Sequence, residues 1–305
     1  MNQGHESEQS SLGNAILSEN RVVRTHSPAH ITGFFAIHED SNPLRKGSRG
    51  CGIVLESGCV TTVSLLPELQ AEPHIVINGR AEDAHTTRYV IERLAAESGV
   101  RVATDFEVPI GCGFGASAAG ALSTALALNE LLALGMTLNE VAQIAHCAEV
   151  ENSTGLGDVI AETYGGVVIR TKPGAPGIGA VDRIPHRNEK ISYVALGMKL
   201  TKSVLAEGGV ELKRRINDAG RDALKTLMQK PTLKTFMHAS REFSLRTELI
   251  GETCKDAIEA VAAEGTVASV AMLGETVFVI GDSAALREFG EVKECGISDA
   301  GVRII

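Results

Sequence analysis

Residues 109–120 of this chain read PIGCGFGASAAG, with four glycines and five other small residues in twelve positions. The preceding run VRVATDFEVP predicts a strand, and the Ala- and Leu-rich residues that follow, through Leu134, predict a long helix. Glycine lets successive backbone N–H groups approach a phosphate, and a helix adds the positive end of its dipole. Ser117 adds a hydroxyl at the start of that helix. The stretch therefore predicts a phosphate-binding turn.

Residues 109–120 have three other interpretations: a dinucleotide-binding turn, a P-loop and a turn with a structural role alone. Gly111, Gly113 and Ala116 match the dinucleotide pattern G-x-G-x-x-G/A, which also needs an acidic residue about twenty positions on, after a second strand. Glu130 is at that distance but falls in the predicted helix. The sequence has no GxxxxGK[ST], which excludes a P-loop. Small residues also let a helix pack tightly on a strand, so a structural role alone stays open.

The length and net charge of the chain limit the number of domains and the kinds of partner that we expect. At about 150 residues per domain, 305 residues predict two domains or one large one. With 29 basic and 38 acidic residues the formal charge is −9, which argues against nonspecific binding to nucleic acid or membrane surfaces. The longest basic run, Lys213-Arg214-Arg215, is short. No segment has the profile of a signal peptide or a membrane span, so we expect a cytoplasmic protein.

The cysteines and aromatic residues exclude two kinds of site. The six cysteines form no CxxC pair and have no matching histidine cluster, so the sequence gives little support for zinc and predicts reduced, packed thiols. Aromatic residues make up 4% and there is no Trp, which leaves little for a stacking surface that binds single strands or glycans.

The chain divides into three predicted parts: a flexible extension over 1–20, a first domain over 21–180 and a second over 181–305. The junction is placed around 172–190, because TKPGAPGIGA holds two Pro and three Gly. Within the first domain we predict several short strands from Arg21 onward and a helix over 84–98. A helix beginning at the Thr137-x-x-Glu140 capping box is predicted to run to Val150. The second domain is predicted as α+β, with a strand over 191–200, helices over 201–229, 231–250, 252–264 and 283–295, a hairpin between the last two, and a final strand.

Three motifs in order along the chain resemble the signatures of the GHMP kinase superfamily. Residues 109–119 resemble its PxGxGLGSSAA phosphate-binding motif, with Phe for Leu and Ala for the first Ser. Ser27-Pro28-Ala29-His30-Ile31-Thr32-Gly33 resembles the N-terminal motif, and residues 271–278, AMLGETVF, resemble the C-terminal hairpin. The resemblance implies a two-domain α+β GHMP kinase fold. Its first domain would be a β/α domain of the ribosomal protein S5 domain 2-like type, and its second a ferredoxin-like α+β domain.

Within that superfamily the chain resembles the archaeal pantoate kinases. The similarity lies in Phe34-Phe35, Pro43-Leu44, KGSRGCG at 46–52, HCAE at 146–149 and TGLGD at 154–158. It implies transfer of the γ-phosphoryl group of ATP to the 4-hydroxyl of pantoate, a step toward coenzyme A, with ATP and Mg²⁺ as cofactors. It implies no nucleic-acid or membrane partner and, at family level, a homodimer. The residues expected to bind ATP are Pro109, Gly111, Gly113, Phe114, Gly115, Ala116, Ser117 and Ala118.

The resemblance also assigns the catalytic residues. Ser117 and Glu149 are expected to bind Mg²⁺, which prefers oxygen ligands and takes few protein carboxylates. Asp158 is expected near the attacking hydroxyl, to orient it or to accept its proton. Taken without the motifs, Glu149 would be a solvated acid near a helix end and Asp158 a helix N-cap.

One position departs from the superfamily pattern. Many members have Pro-Gly-Lys in the first motif, with the lysine paired to the active-site Asp, whereas this chain has Pro28-Ala29-His30. We therefore expect Asp158 either to keep a higher pKa than in those members or to have another cation beside it.

The resemblance places the contacts to the hydroxy acid at four residues: Ser48, His146, Arg170 and Thr201. A carboxylate with neighbouring hydroxyls calls for an arginine and for hydroxyl or imidazole groups. Each residue also has an ordinary structural interpretation: a turn residue for Ser48, a satisfied helix residue for His146, a solvated strand end for Arg170 and a helix cap for Thr201.

Two further functions stay open at this point. One is a GHMP enzyme acting on another substrate, such as a homoserine, mevalonate or shikimate kinase, or a diphosphomevalonate decarboxylase. The other is a nucleotide-binding regulator without catalysis, against which the retained Glu149 and Asp158 count.

Overall fold

The computed structural model describes residues 21–67, 72–198 and 209–305, and its architecture is mixed α+β, as predicted. Two strands form the centre of the first sheet, β1 (Val22–His38) and β2 (Gly47–Leu65). They pair antiparallel along almost their whole length, so the short strands predicted from Arg21 onward are two long ones. The pairing shifts register between Pro28 and His30 and again between Thr32 and Phe34. These irregularities change the direction of the side chains between them.

The other strands of the first sheet are β3 (His74–Ile77), β4 (Arg80–Ala81), β5 (Val100–Phe106), β6 (Val167–Lys172), β7 (Ala180–Ile184) and β12 (Arg303–Ile304). The sheet has the order β12-β1-β2-β5-β3-β4, and a branch adds β6 beside β2 and β7 beside β6. Strands β3 and β5 are parallel, and the other pairs are antiparallel.

Four helices belong to this part of the chain: α1 (His85–Leu94), α2 (Ala116–Leu131), α3 (Leu138–Asn152) and α4 (Asp158–Tyr164). Twelve residues of α2 are buried, which fits its uniformly apolar Ala/Leu sequence. The capping box at the start of α3 is confirmed: the Thr137 hydroxyl accepts from the Glu140 N–H, and the Glu140 carboxylate accepts from the Thr137 N–H.

The second sheet is antiparallel with the order β11-β8-β10-β9. Its strands are β8 (Lys190–Gly197), β9 (Ala268–Val270), β10 (Glu275–Ile280) and β11 (Lys293–Gly296). The helices among the described residues of this part are α5 (Val210–Gln229), α6 (Leu233–Thr247) and α7 (Glu252–Ala263). One apolar core continues from β1 and β2 through these helices into β8 and β10, and a second lies under α1, α2 and α3.

The chain passes from the first sheet to the second between Ile184 and Lys190, and its last strand, β12, returns to pair with β1. The helix predicted over 283–295 is wrong. Only Ala285–Glu288 forms a 3₁₀ turn, Gly290 has a φ of +157°, and Lys293–Gly296 pairs with β8 at the edge of the second sheet. The gain from completing that sheet outweighs the local helix propensity. Within the described residues, no helix has both the length and the apolar character to cross a membrane.

Candidate active site

The three sequence motifs meet around the glycine-rich turn. The backbone N–H of His30 in β1 donates to the Phe114 carbonyl (3.0 Å), and the Thr276 hydroxyl in β10 donates to the Cys112 carbonyl (2.7 Å). A Cβ at Gly113, whose φ is +93°, would come within 2.9 Å of the Ala271 carbonyl oxygen. Glycine is thus required there both for its conformation and for its size.

The glycine-rich turn places the N-terminus of α2 beside a cavity. Gly115 precedes the helix with a φ of +64° and, having no side chain, provides no side-chain cap for the first turn of α2. The first N–H groups of a helix lack intrahelical partners and carry the positive end of its dipole. Such an uncapped N-terminus beside open space is a ready anion site.

The cavity has a volume of about 500 Å³ and lies between the glycine-rich turn, the α3–α4 connection and β6. The turn residues that line it are Ile110, Gly111, Gly113, Phe114, Gly115, Ala116 and Ser117. Pro109 and Ala118, also predicted to bind ATP, flank these residues and are not among the lining. Phe114 is buried, and its ring packs edge-on against Tyr193 of β8, with ring centroids 4.9 Å apart. This contact fixes the turn to the second sheet.

Ser117 and Glu149 lie together, as predicted for a shared metal site. Glu149 is on α3 and buried, and its carboxylate accepts from the Thr154 hydroxyl (2.7 Å) and from the Ser117 side chain. Burial raises the pKa of Glu149 to about 7, helped by the nearby charge of Asp158 and opposed by these hydrogen bonds. The donor set consists of hydroxyl and carboxylate oxygens, which is what Mg²⁺ prefers.

Asp158, the first residue of α4, faces the same cavity. Its Oδ1 lies 2.7 Å from Nδ1 of His30 and 3.4 Å from the Thr32 hydroxyl. Burial raises the pKa of Asp158, but hydrogen bonds from His30 and Thr32 and the charge of Arg170 outweigh that effect and leave the pKa lowered. The group in contact is His30, whose own pKa is lowered by burial, and the cation whose charge acts on Asp158 is Arg170. A pKa higher than in the members that have the lysine stays a prediction.

Arg170 is the candidate residue for binding an anionic ligand. It is 1% exposed, lines the cavity, and has no hydrogen-bond partner at Nε or Nη1 among the described residues. Without a functional role, Arg170 was expected to be a solvated residue at a strand end. Its burial shows that this alternative is wrong. A buried guanidinium with free N–H groups matches the two oxygens of a carboxylate.

The other predicted substrate residues differ in their placement. Ser48 is buried, lines the cavity and donates to the Leu156 carbonyl (3.2 Å). His146 is buried on α3, where Nε2 faces the carbonyl oxygens of Pro43 and Lys46 (3.1 and 3.0 Å), and it is not among the cavity lining. Thr201 lies outside the described residues. Substrate contacts by these residues stay predictions.

The sequence reasoning missed a set of glycines that make room for the polar side chains. A Cβ at Gly157 would come within 2.6 Å of both Arg170 Nε and Ser48 Oγ, and one at Gly115 within 2.5 Å of a Glu162 carboxylate oxygen. A Cβ at Gly155 would overlap a Glu149 oxygen, and one at Gly52 would overlap Nε2 of His30. The repeated glycines in TGLGD and in KGSRGCG are the sequence feature from which these close approaches could have been predicted.

Glu162 was also missed. It lies one turn after Asp158 on α4, is fully buried, and neither carboxylate oxygen has a hydrogen-bond partner among the described residues. Burial, with the charges of Asp158 and Glu149, raises its pKa well above the ordinary value. The i, i+4 spacing from Asp158 placed it on the same helix face, which was the signal in the sequence.

We expect Glu162→Gln to stabilise the protein more at pH 8 than at pH 5. A carboxyl with a higher pKa in the folded than in the unfolded protein binds more protons when folded, so stability falls as pH rises above its unfolded pKa. The amide does not titrate, so the variant should gain at least about 1 kcal/mol over wild type between these pH values. Urea unfolding at both pH values measures this, with the exposed Glu151→Gln as control. A difference independent of pH would contradict it.

The chain is similar to known proteins over most of its length. Residues 84–166 match the GHMP kinases N terminal domain. The chain is 39% identical to the pantoate kinase of Thermococcus kodakarensis, over 85% of this chain and 87% of that protein. It is 35% identical to the pantoate kinase of Methanocaldococcus jannaschii, over 86% of this chain and 94% of that protein.

Among solved structures, one described as a phosphotransferase related to the CoA biosynthesis pathway superposes with a TM-score of 0.84 at 32% identity, covering 93% of this chain and 99% of the other. Sequence similarity over nearly the whole chain and a common fold therefore agree on one assignment. The chain belongs to the pantoate kinase family of the GHMP kinases.

Proposed function

We propose that this protein is an ATP-dependent pantoate kinase that transfers the γ-phosphoryl group of ATP to the 4-hydroxyl of (R)-pantoate, giving 4-phosphopantoate and ADP in coenzyme A biosynthesis. The observation that carries the proposal is the buried Arg170 guanidinium, which lines the cavity that also contains Asp158 and the N-terminus of α2, and which has no partner at Nε or Nη1 among the described residues. A kinase that acts on a hydroxy acid needs all three features in one place.

The nucleotide side of the cavity is supported by the glycine-rich turn. Phosphoryl transfer depends on positioning and on compensating the charge of the phosphate oxygens. The N–H groups at the start of α2 can donate to those oxygens, and Ser117 and Glu149 can hold Mg²⁺, which when bound neutralises charge on the triphosphate. Because the whole chain carries a formal charge of −9, attraction of the anionic ligands has to come from such local groups.

The acceptor side is supported by Asp158 and Arg170. The lowered pKa of Asp158 keeps its carboxylate ionised at neutral pH, so it can orient the 4-hydroxyl and accept its proton as the new oxygen–phosphorus bond forms. Arg170 can hold the substrate carboxylate through two parallel hydrogen bonds, and the Ser48 hydroxyl lies beside it. A role for His146 and Thr201, and a homodimeric assembly, stay predictions.

We expect Arg170→Ala to raise the KM for pantoate by about ten- to a hundredfold, the effect of losing hydrogen bonds to a charged group. The KM for ATP should stay within about twofold. Steady-state kinetics with each substrate varied in turn measures both values. Lys172→Ala, an exposed cation on the same strand, is the matched control and should leave both KM values unchanged. An unchanged pantoate KM in Arg170→Ala would mean that another group binds the carboxylate.

A panel of acceptors tests the proposed substrate. ADP release coupled to an optical readout is measured with pantoate, homoserine, mevalonate and shikimate at equal concentrations with Mg²⁺ and ATP, and with diphosphomevalonate for the decarboxylase. Pantoate should be the best substrate in kcat/KM by at least ~10², because a lost polar contact in a buried site discriminates strongly. Homoserine or mevalonate turning over as fast as pantoate would refute the proposal. Tight ATP binding without turnover of any acceptor would favour the regulator.

A further inference from the structure

His30 occupies an unusual stretch of β1. It lies between the two register shifts of the β1–β2 pair, after Pro28 and before Phe34. Its backbone N–H bonds to the glycine-rich turn at Phe114, and its side chain is completely buried. The shifts therefore direct the imidazole at the start of α4, on the other side of the turn.

The ring makes one short contact. Nδ1 lies 2.7 Å from Oδ1 of Asp158, whereas Nε2 has no hydrogen-bond partner among the described residues. An ionised carboxylate can only accept, so the proton of a neutral ring has to be on Nδ1. On the Nε2 side the ring is packed against Gly52, where any Cβ would overlap it, so the pocket for the ring depends on that glycine.

The two carboxylate oxygens of Asp158 have different surroundings. Oδ1 is taken by His30 and, more weakly, by the Thr32 hydroxyl at 3.4 Å. Oδ2 lies on the side of Gly155, at 3.2 Å from the position of a Cβ there, and Gly155 lines the cavity. One oxygen is thus held inside the protein and the other is left on the side of the cavity.

We propose that His30 is a positioning residue for phosphoryl transfer: as a neutral donor from Nδ1 it holds Oδ1 of Asp158 so that Oδ2 faces the acceptor hydroxyl. This inference rests on the proposed function. The acceptor oxygen gives its proton to Oδ2 and forms the bond to the γ-phosphorus, and the bond from that phosphorus to the bridging oxygen of ADP breaks. His30 neither gains nor loses a proton in this step. It acts only through the carboxylate that it orients.

Two substitutions at His30 separate this role from a general effect on the fold. We expect His30→Leu, which keeps bulk but loses the donor, to lower kcat about tenfold and to leave the KM for ATP within about twofold. His30→Asn places an amide N–H near the position of Nδ1 and should restore kcat to within about threefold of wild type. His26→Leu, which replaces another buried histidine of β1, is the control and should leave kcat within about twofold.

A spectroscopic measurement tests the tautomer without using activity. In the ¹⁵N-labelled full chain, the His30 signals are identified as those missing from His30→Asn. At pH 7.5 we expect Nδ1 to carry the proton and Nε2 to be unprotonated. A proton on Nε2 alone, or on both nitrogens, would overturn the inference.

The outcomes also distinguish the inference from the function it rests on. If the wild-type protein does not phosphorylate pantoate, the proposed function fails, and with it the inference. If wild-type turnover is normal and His30→Leu keeps kcat within twofold, the inference alone fails. If His30→Asn is as impaired as His30→Leu, a donor at Nδ1 is not what the site needs, and the inference fails as well.

Discussion

Asp158→Asn is expected to lower kcat for pantoate phosphorylation by at least ~10², the usual effect of removing a group that takes part in proton transfer. The asparagine keeps the size of the side chain and an oxygen that can still accept from Nδ1 of His30, so the contact to β1 is preserved. What it loses is the negative charge that orients the acceptor hydroxyl and takes its proton. Single-turnover measurement with saturating Mg²⁺-ATP and pantoate isolates this step from product release.

Glu162→Gln is the matched control for that experiment. Glu162 is another buried carboxyl of α4, but burial raises its pKa well above the ordinary value and so favours its uncharged form. An uncharged amide in its place should therefore leave turnover within about threefold of wild type. Equal losses in the two variants would indicate a disturbance of α4 as a whole, and near wild-type turnover in Asp158→Asn would remove this carboxylate from the reaction.

The sequence predicts the glycine-rich turn beside the candidate site, because this motif is dominated by local backbone requirements. Gly113 and Gly115 have a positive φ, and a turn with those dihedrals ahead of a small-residue helix has few alternative structures. The pairing of Ser117 with Glu149 is expected only from the resemblance to the GHMP kinases, and in the structure it depends on the packing of α2 against α3. Local backbone rules therefore account for the prediction of the glycine-rich turn on the ATP side of the candidate site.

The acceptor side could not be predicted to the same extent, because it depends on contacts between residues far apart in sequence. The partner of Asp158 is His30, 128 positions away, and only the fold shows that two register shifts in β1 bring them together. Burial decides two further features: it lowers the pKa of His30, and Nε and Nη1 of the buried Arg170 guanidinium have no hydrogen-bond partner among the described residues. Neither feature can be derived from residue type alone. The failed helix over 283–295 has the same cause, since pairing of β11 with β8 is a tertiary contact.

Glu149→Gln is the second substitution for which we expect a loss of at least ~10² in kcat, now through the metal ion rather than the acceptor. Glu149 is buried beside Ser117, and an amide in its place supplies a neutral, weaker ligand to Mg²⁺. The apparent KM for Mg²⁺ should rise together with the loss of turnover. Glu130→Gln, at an exposed carboxylate near the end of α2 and outside the cavity lining, is the control and should change neither value by more than about threefold.

The pH dependence of Mg²⁺ activation gives this prediction a second, independent measurement. Burial raises the pKa of Glu149 to about 7 in the absence of metal, so below that pH Mg²⁺ has to displace a proton in order to bind the carboxylate. The fraction of ionised Glu149 falls about tenfold from pH 8 to pH 6, and the apparent affinity of the wild-type protein for Mg²⁺ should weaken by about that factor. Glu149→Gln has no proton to displace at this position and keeps only the pH dependence that ATP itself brings. We therefore expect the two titrations, measured by ADP release with Mg²⁺ varied at each pH, to converge toward pH 6, and parallel curves would show that Glu149 does not bind the ion.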